Sequence, residues 1–286
     1  MTGSGLQKIS VAIALGCVLT FSRPAAQQYT PPPDVGMHAG LDAVLDVYVR
    51  EGLVYYRALA SDRGRLDRYI SGLDMPPAAY AGMAPETQAA LWLNAYNALV
   101  LRTVINVYPI RGRSDAFPAN SIRQIPGAFD ARRHRVAGRV VSLDEIEKDI
   151  LPTFEDPRMY FALGRGSIGG GRLRSEAFSP TRLEQQLSAV AAECITRYEC
   201  FRYDPAADRV QASAIFGWRE EAFTRAYSGD LGKFPGRSPI ELAVLHLVLP
   251  HVHSGEREGL ARNTFTMAYE TFNWRLNDLT DGGGRQ

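Results

Sequence analysis

Apolar residues recur at helical spacing along much of the chain, and most of these runs are bounded by residues that begin or end helices. Proline at a first-turn position favours a helix start, and a serine followed three residues later by glutamate is a capping box. These signals predict helices over residues 41–48, 64–73, 85–108, 143–152, 180–196 and 239–250.

Shorter apolar or alternating runs between these helices are typical of strands. They predict a hairpin over 133–141 around Ala137-Gly138, and extended segments over 159–163, 200–203, 209–216 and 264–274. Helices therefore outnumber short strands. The pattern indicates an α+β fold, with one globular domain and a small sheet.

The N-terminus has the order of a secretory signal. Lys8 precedes an apolar run from Ile9 to Phe21, and the small residues Ala25 and Ala26 follow it. The run is too short to span a bilayer. We therefore predict an exported protein, periplasmic or secreted, without a membrane span.

The predicted domain boundaries follow from composition. Residues 1–26 form the signal peptide, and residues 27–40, with three consecutive prolines, form an extended linker. Residues 41–280 form the folded domain, and the glycine-rich residues 281–286 form a disordered tail.

Charge and cysteine content narrow the partners and the chemistry. The chain has 32 Lys+Arg against 31 Asp+Glu, so no overall field attracts nucleic acid or an anionic membrane. Removing the signal peptide leaves two cysteines, Cys194 and Cys200. In an oxidising compartment they form a disulfide, or Cys194 is a buried thiol on an apolar helix stripe.

The long helix carries polar residues on apolar faces. Asn94 and Asn97 each share a helical stripe with aliphatic residues, and Tyr96 lies between them. A buried amide without partners costs about 1–3 kcal/mol, so both must form hydrogen bonds. They either tie the helix to a neighbouring loop or line a functional pocket.

Six short blocks occur in an order that resembles the domain of unknown function 547 family. The blocks are W-L-N-A-Y-N-A-L-V-L, S-I-R-Q-I, S-L-D-E-I-E, D-P-R-M-Y-F-A-L, S-A-I-F-G-W and F-N-W-R-L-N-D. The resemblance extends from about Val54 to Asp278. It implies no established activity.

The chain departs from this family at positions that carry chemistry. Members typically have histidine at Tyr160 and at Lys148, cysteine at Arg165, and aspartate at Ala222. They have Cys-Pro-Pro where Gly170-Gly171-Arg172 stands. Thiolate and imidazole supply nucleophiles, general bases and metal ligands near neutral pH. The resemblance therefore implies a degenerate Cys/His site.

The glycine-rich segment after Leu163 formally matches the dinucleotide fingerprint through Gly164, Gly166 and Gly169. That fingerprint requires a helix to begin at the loop, where its N-terminus binds the pyrophosphate. The next helix signal is Ser179-Pro180, which is too late. We therefore predict no nucleotide and no cofactor.

Histidines and carboxylates offer few other candidates. His251 and His253 could lie on one side of an extended segment, with His246 one turn before Pro250. The matching family segment is not a metal motif, so we predict no metal site. Glu145 and Glu147 point to different faces of their helix and do not form a carboxylate pair.

The sequence therefore predicts a non-catalytic protein that binds an unknown small molecule or protein. The expected cleft lies where residues 164–172 face the asparagine helix, with Arg165 and Arg172 as anion-binding donors. Arg165→Ala would change the stability by less than about 1 kcal/mol if the side chain is solvated. The alternative is a hydrolase or transferase that uses Ser167 or the carboxylate of Glu147 at the same cleft. The candidate binding residues are Asn94, Tyr96, Asn97, Arg165, Ser167 and Arg172.

Overall fold

A computed structural model describes Met1 and residues 35–227, 229, 232 and 234–280. The predicted tail and, apart from Met1, the predicted signal peptide lie outside the described residues, as does most of the predicted linker. The last residues assigned to the linker are already folded, because residues 36–40 are helical and His38 is buried.

The described α-helices are α1 Ala39–Tyr48, α2 Tyr56–Ser61, α3 Gly64–Ser71, α4 Pro77–Ala81, α5 Pro85–Ile105, α6 Leu143–Glu145, α7 Leu183–Ile195, α8 Ala214–Trp218, α9 Glu220–Tyr227, α10 Pro239–Val248 and α11 Ser254–Ala261. Short 3-10 helices span Gly36–His38, Ile122–Gln124, Leu151–Phe154, Pro157–Phe161 and Pro180–Arg182. One π-helix spans Ile146–Ile150. The six longer helices predicted from the sequence are confirmed, although the one after Ser142 is α-helical only in its first turn.

The strands of the described residues form three small sheets. Their bounds are β1 Val49–Arg50, β2 Leu53–Val54, β3 His134–Val136, β4 Arg139–Val141, β5 Phe201–Asp204, β6 Arg209–Ala212 and β7 Thr266–Tyr269. The pairs β1–β2, β3–β4 and β5–β6 are antiparallel, and β7 lies parallel to β6. The α+β class is confirmed, and so is the hairpin around Ala137-Gly138.

Helix α5 is the centre of the core. Every residue from Ala89 to Leu101 is buried. Pro85 occupies its first turn, as the sequence predicts, because a proline there loses no helical hydrogen bond. A helix that is apolar on all sides is stabilised by neighbours on every face, so α5 fixes the elements around it.

The prediction of a strand over 159–163 is wrong. The chain forms the 3-10 helix Pro157–Phe161, and the Asp156 side chain accepts a hydrogen bond from the Arg158 amide at its start. A short apolar run does not distinguish a strand from a buried helical turn. Here Asp156 caps the helical turn and Pro157 occupies its first position, and both favour the turn over a strand.

A second correction concerns residues 209–216. Strand β6 ends at Ala212, and Ser213 caps helix α8, so Ile215 and Phe216 are helical. Apolar spacing over so few residues again fits both structures. The predicted strand over 264–274 is confirmed only as β7.

Candidate functional site

Asn97 anchors the glycine segment, which we define as Gly164–Arg172. Its amide nitrogen donates to the Ala162 carbonyl at 3.0 Å, and its oxygen accepts from the Gly164 amide at 2.9 Å. Asn94 contacts Phe178 in the same way, with both distances 2.9 Å. The two asparagines thus bind backbone groups at the start of the glycine segment and at Phe178, beyond its end. This agrees with the prediction that they connect the long helix to a neighbouring loop.

Three positions at which this chain departs from the family line one cavity. Tyr160, Lys148 and Ala222 all belong to a cavity of about 410 Å³, the Tyr160 cavity, which Trp218 and Arg219 also line. Residues far apart in the sequence therefore converge here. Three of the positions at which the resemblance implies other residues therefore lie together in the fold, whereas Arg165 and residues 170–172 do not line this cavity.

A buried ion network lies behind the cavity. Arg165 donates to both oxygens of Glu147, at 2.7 and 3.2 Å, and Arg219 donates to Oε1 at 2.7 Å. The Tyr96 hydroxyl donates to Oε2 at 3.0 Å. We call these four residues the Glu147 network.

The network carries a net positive charge. Burial by itself would raise the pKa of Glu147, but the guanidinium groups of Arg165 and Arg219 lower it to about 2. The carboxylate is therefore ionised near neutral pH. One negative charge between two positive charges leaves +1, and Arg219 connects that charge to the cavity.

The expectation of a solvated Arg165 is wrong. The residue is 1% exposed, and its donors reach Glu147 and the Tyr160 and Leu163 carbonyls. Its φ of 43° lies in the left-handed region. These contacts occupy the guanidinium, so it is not available as a direct hydrogen-bond donor to a ligand.

Tyr160 has a buried ring and a hydroxyl without a partner. The residue is 2% exposed, and its hydroxyl makes no hydrogen bond with the described residues. The Arg219 guanidinium lies 5.2 Å from the ring centroid. Burial raises the pKa of the tyrosine, so the neutral hydroxyl is a donor toward the cavity.

Ser167 lies at a different place. It belongs to a second cavity of about 480 Å³, the arginine cleft, which Arg172, Arg197 and Arg275 also line. Its Oγ is enclosed and has no hydrogen-bond partner among the described residues. An activated serine requires a base in contact with its hydroxyl, and this arrangement does not supply one.

Close backbone approach explains two glycines of this segment. A Cβ on Gly171 would lie 1.4 Å from the Phe161 carbonyl oxygen, and a Cβ on Gly169 would lie 2.6 Å from the Asn273 nitrogen. A side chain at either position would overlap backbone atoms, so glycine is required for packing. The next described helix begins at Pro180, outside the segment.

The three candidate metal-binding histidines do not form a cluster. Within the part of the chain that the structure describes, no three His, Cys, Asp or Glu side chains are placed to hold a metal ion. His253 caps α11, since its Nδ1 accepts from the Glu256 amide, and His246 contacts the ring of Tyr227.

Cys194 and Cys200 form a disulfide with an S–S distance of 2.05 Å. The sequence left open a disulfide or a buried free thiol at Cys194, and the structure contains the disulfide. Arg197 lies inside the closed loop and donates to the Ile168 and Gly170 carbonyls. The disulfide loop therefore contacts the glycine segment.

Sequence reasoning missed four arginines that line these cavities, Arg197, Arg219, Arg225 and Arg275. Arg219 directly follows the S-A-I-F-G-W block, and Arg275 lies within F-N-W-R-L-N-D. Their position at recognised blocks was the available signal. The chain contains many arginines, however, and no spacing rule relates these residues to Glu147 or Ser167.

Among the described residues, no helix combines the length and the apolar character needed to cross a membrane. Comparison with curated proteins and with solved structures yields no match. Residues 80–195 match the family model described as "Protein of unknown function, DUF547". This range contains α5, the Glu147–Arg165 pair and the glycine segment, and over it the resemblance of the chain to the DUF547 family is confirmed.

Proposed function

We propose that this protein binds a small organic anion in the Tyr160 cavity and does not transform it. The net charge of +1 on the buried Glu147 network carries the proposal. A charge away from water is costly unless an opposite charge compensates it. A carboxylate in the cavity beside Arg219 would provide that compensation.

The lining of the cavity suggests how such a ligand is oriented. The acidic group would face Arg219 and accept a hydrogen bond from Tyr160, whose hydroxyl has no other partner. Trp218, which is 43% exposed, would contact an apolar or aromatic body. The ligand class that fits best is an aromatic carboxylate.

Acidic residues on the cavity lining do not cancel this attraction. Asp156 is paired with Arg158 at 2.7 Å, and Glu221 is paired with Arg225. Glu155 and Glu220 are exposed or nearly so, and water screens exposed charges far more than buried ones. At the bottom of the Tyr160 cavity, the positive charge of the Glu147 network therefore acts on a ligand more strongly than these acids do.

Binding is favoured over catalysis because the candidate groups are engaged or enclosed. Glu147 accepts hydrogen bonds on both oxygens, and its pKa of about 2 makes it a weak base. The Ser167 hydroxyl contacts no base. The hydrolase or transferase alternative is tested by a substrate panel, in which turnover by wild type but not by a folded Ser167→Ala variant would support it.

The binding test uses benzoate, phenylacetate and indole-3-acetate, each beside its neutral amide. Isothermal titration should detect the carboxylates and not the amides. Tyr160→Phe removes a hydroxyl without protein partners and should weaken binding about tenfold or more, as loss of a charged hydrogen bond does. Equal binding of acids and amides, or an unchanged Tyr160→Phe, would contradict the proposal.

We also propose that the protein is exported. The order of Lys8, the apolar run and Ala25-Ala26 supports this, and a disulfide is typical of oxidising compartments. The mature chain is expected to begin between Ala26 and Tyr29. Intact-mass analysis of protein from the native host tests it, and a chain that retains Met1 would refute it.

A further inference from the structure

The arginine cleft is separate from the Tyr160 cavity. The two cavities share no lining residue, and only the cleft is lined by residues of the glycine segment, among them Ser167 and Arg172. Whatever the cleft binds is therefore independent of the function proposed above.

Three arginines meet in the cleft although their chain positions are far apart. Arg172 belongs to the glycine segment, and Arg197 donates to the Gly170 and Ile168 carbonyls at 3.2 and 3.3 Å. The backbone carbonyl of Arg275 accepts from the Ile168 amide at 2.9 Å. The fold thus holds all three against the same short stretch of backbone.

Most of the donors of these arginines have no protein partner. A guanidinium has five N–H donors. Arg197 uses two hydrogen bonds to carbonyls, Arg172 uses one to Glu193 at 3.2 Å, and the exposed Arg275 side chain makes none with the described residues. The remaining donors are available to a ligand.

Three acidic residues, Glu51, Glu199 and Asp278, also line the cleft, and Glu199 forms an ion pair with Arg197. Glu199 lies 3.4 Å from Arg197, longer than the 2.7 Å of the Glu147 pairs. Asp278 accepts hydrogen bonds from the Tyr108 hydroxyl and from Thr280. Glu51 is exposed.

Arg172 and Arg197 also repel one another. Burial lowers the pKa of Arg197, the charge of Glu199 raises it, and the charge of Arg172 lowers it. Two like charges near each other are stabilised when an anion lies between them, and planar guanidinium groups match the oxygens of phosphate in geometry.

We propose that the arginine cleft is a binding site for a phosphate group, held by Arg172, Arg197 and Arg275. A doubly charged oxyanion matches three arginines that line one cleft better than a singly charged carboxylate does. The Ser167 hydroxyl is enclosed and does not take part.

The test is titration of the full mature chain with inorganic phosphate, sulfate and acetate at constant ionic strength, followed by calorimetry. Phosphate and sulfate should bind and acetate should bind more weakly. Arg275→Gln, which removes an exposed guanidinium without hydrogen bonds to the described residues, should lower phosphate affinity by at least about fivefold. Arg172→Gln should have a similar effect.

Two matched controls separate this site from general electrostatics and from the other cavity. Arg139→Gln removes an equal charge from an exposed strand position and should leave phosphate affinity unchanged. Tyr160→Phe, in the other cavity, should leave it unchanged as well. Absence of phosphate binding, or an equal loss of phosphate affinity in Arg139→Gln and Arg275→Gln, would overturn the proposal. Failure of aromatic carboxylates to bind in the Tyr160 cavity would contradict only the function proposed above.

Discussion

At the scale of single residues, Arg165 stands where the resemblance implies a reactive cysteine, and the two side chains differ in their chemistry. Arginine does not supply a nucleophile, but in this position it forms a buried pair with Glu147 that two further donors complete. The resemblance implies a lost thiol, and the structure shows a charged network in its place. The position therefore remains important for folding.

Arg165→Ala should lower the free energy of unfolding by about 3 kcal/mol, because it leaves part of the buried charge of Glu147 uncompensated. Urea unfolding of the variant beside Arg139→Ala, an exposed control, measures the difference. A change below about 1 kcal/mol in both variants would show that the guanidinium is solvated in solution.

Two buried histidines predict a dependence of stability on pH. Burial lowers the pKa of His38 to about 4, and burial together with Arg102 lowers that of His134 to about 4. The unfolded chain takes up these protons below about 6.5, whereas the folded chain does not. Stability should therefore be complete above pH 6.5 and fall as the pH decreases toward 4, by at most about 1.4 kcal/mol per pH unit for each histidine.

Chemical unfolding between pH 7 and pH 4 measures this slope. Replacing both histidines with glutamine should flatten it, while the exposed control His251→Gln should not. Glu147 acts in a lower window, since its folded pKa is about 2 and its stabilisation is lost only as the pH falls below about 4.5. An equal slope in the double variant would rule out the histidines as its cause.

At the scale of elements, α5 positions both candidate sites. Asn97 holds the start of the glycine segment, Asn94 holds the segment around Phe178, and Tyr96 reaches Glu147. Three polar side chains within one turn of a buried helix thus connect it to three neighbouring pieces of chain. The apolar residues around them anchor the helix in the core.

Asn97→Leu should therefore destabilise the fold by about 2–3 kcal/mol, since it leaves the Gly164 amide and the Ala162 carbonyl without partners. Thermal unfolding of this variant beside Arg139→Leu, at an exposed strand position, measures the effect. A wild-type melting temperature for Asn97→Leu would contradict the assigned role.

At the scale of the whole molecule, the glycine segment connects parts that are distant in the sequence. It contacts α5, the disulfide loop through Arg197, and the C-terminal residues 273–275. The arginine cleft borders the segment directly, and the Tyr160 cavity is connected to it through the pairing of Arg165 with Glu147 and of Glu147 with Arg219. Substitutions in the disulfide loop or in the C-terminal residues are therefore expected to affect ligand binding in the arginine cleft.

Replacing Cys194 and Cys200 by serine should lower the free energy of unfolding by about 2 kcal/mol and should also weaken phosphate binding, because Arg197 lies within the closed loop. Titration of thiols in unfolded, non-reduced wild type provides the independent check. Two free thiols would exclude the disulfide, and unchanged phosphate affinity in the double variant would separate the loop from the site.

The helices and the hairpin could be predicted without the structure, because capping boxes, first-turn prolines and apolar periodicity are local signals. The resemblance to the DUF547 family could be recognised from short sequence blocks alone. It also located the unusual positions Tyr160, Lys148, Arg165 and Ala222. Where a local signal fits two structures, as over residues 159–163, the prediction was wrong, and the capped turn replaced the strand.

The surroundings of these positions, by contrast, could be seen only in the folded structure. The burial of Arg165, its pairing with Glu147 and Arg219, and the separation of Ser167 from them depend on contacts between residues 18 to 72 positions apart. No periodicity encodes such contacts, because they arise when α5 and its neighbours pack together. For the same physical reason, the placement of the arginines of the cleft became visible only in the folded chain.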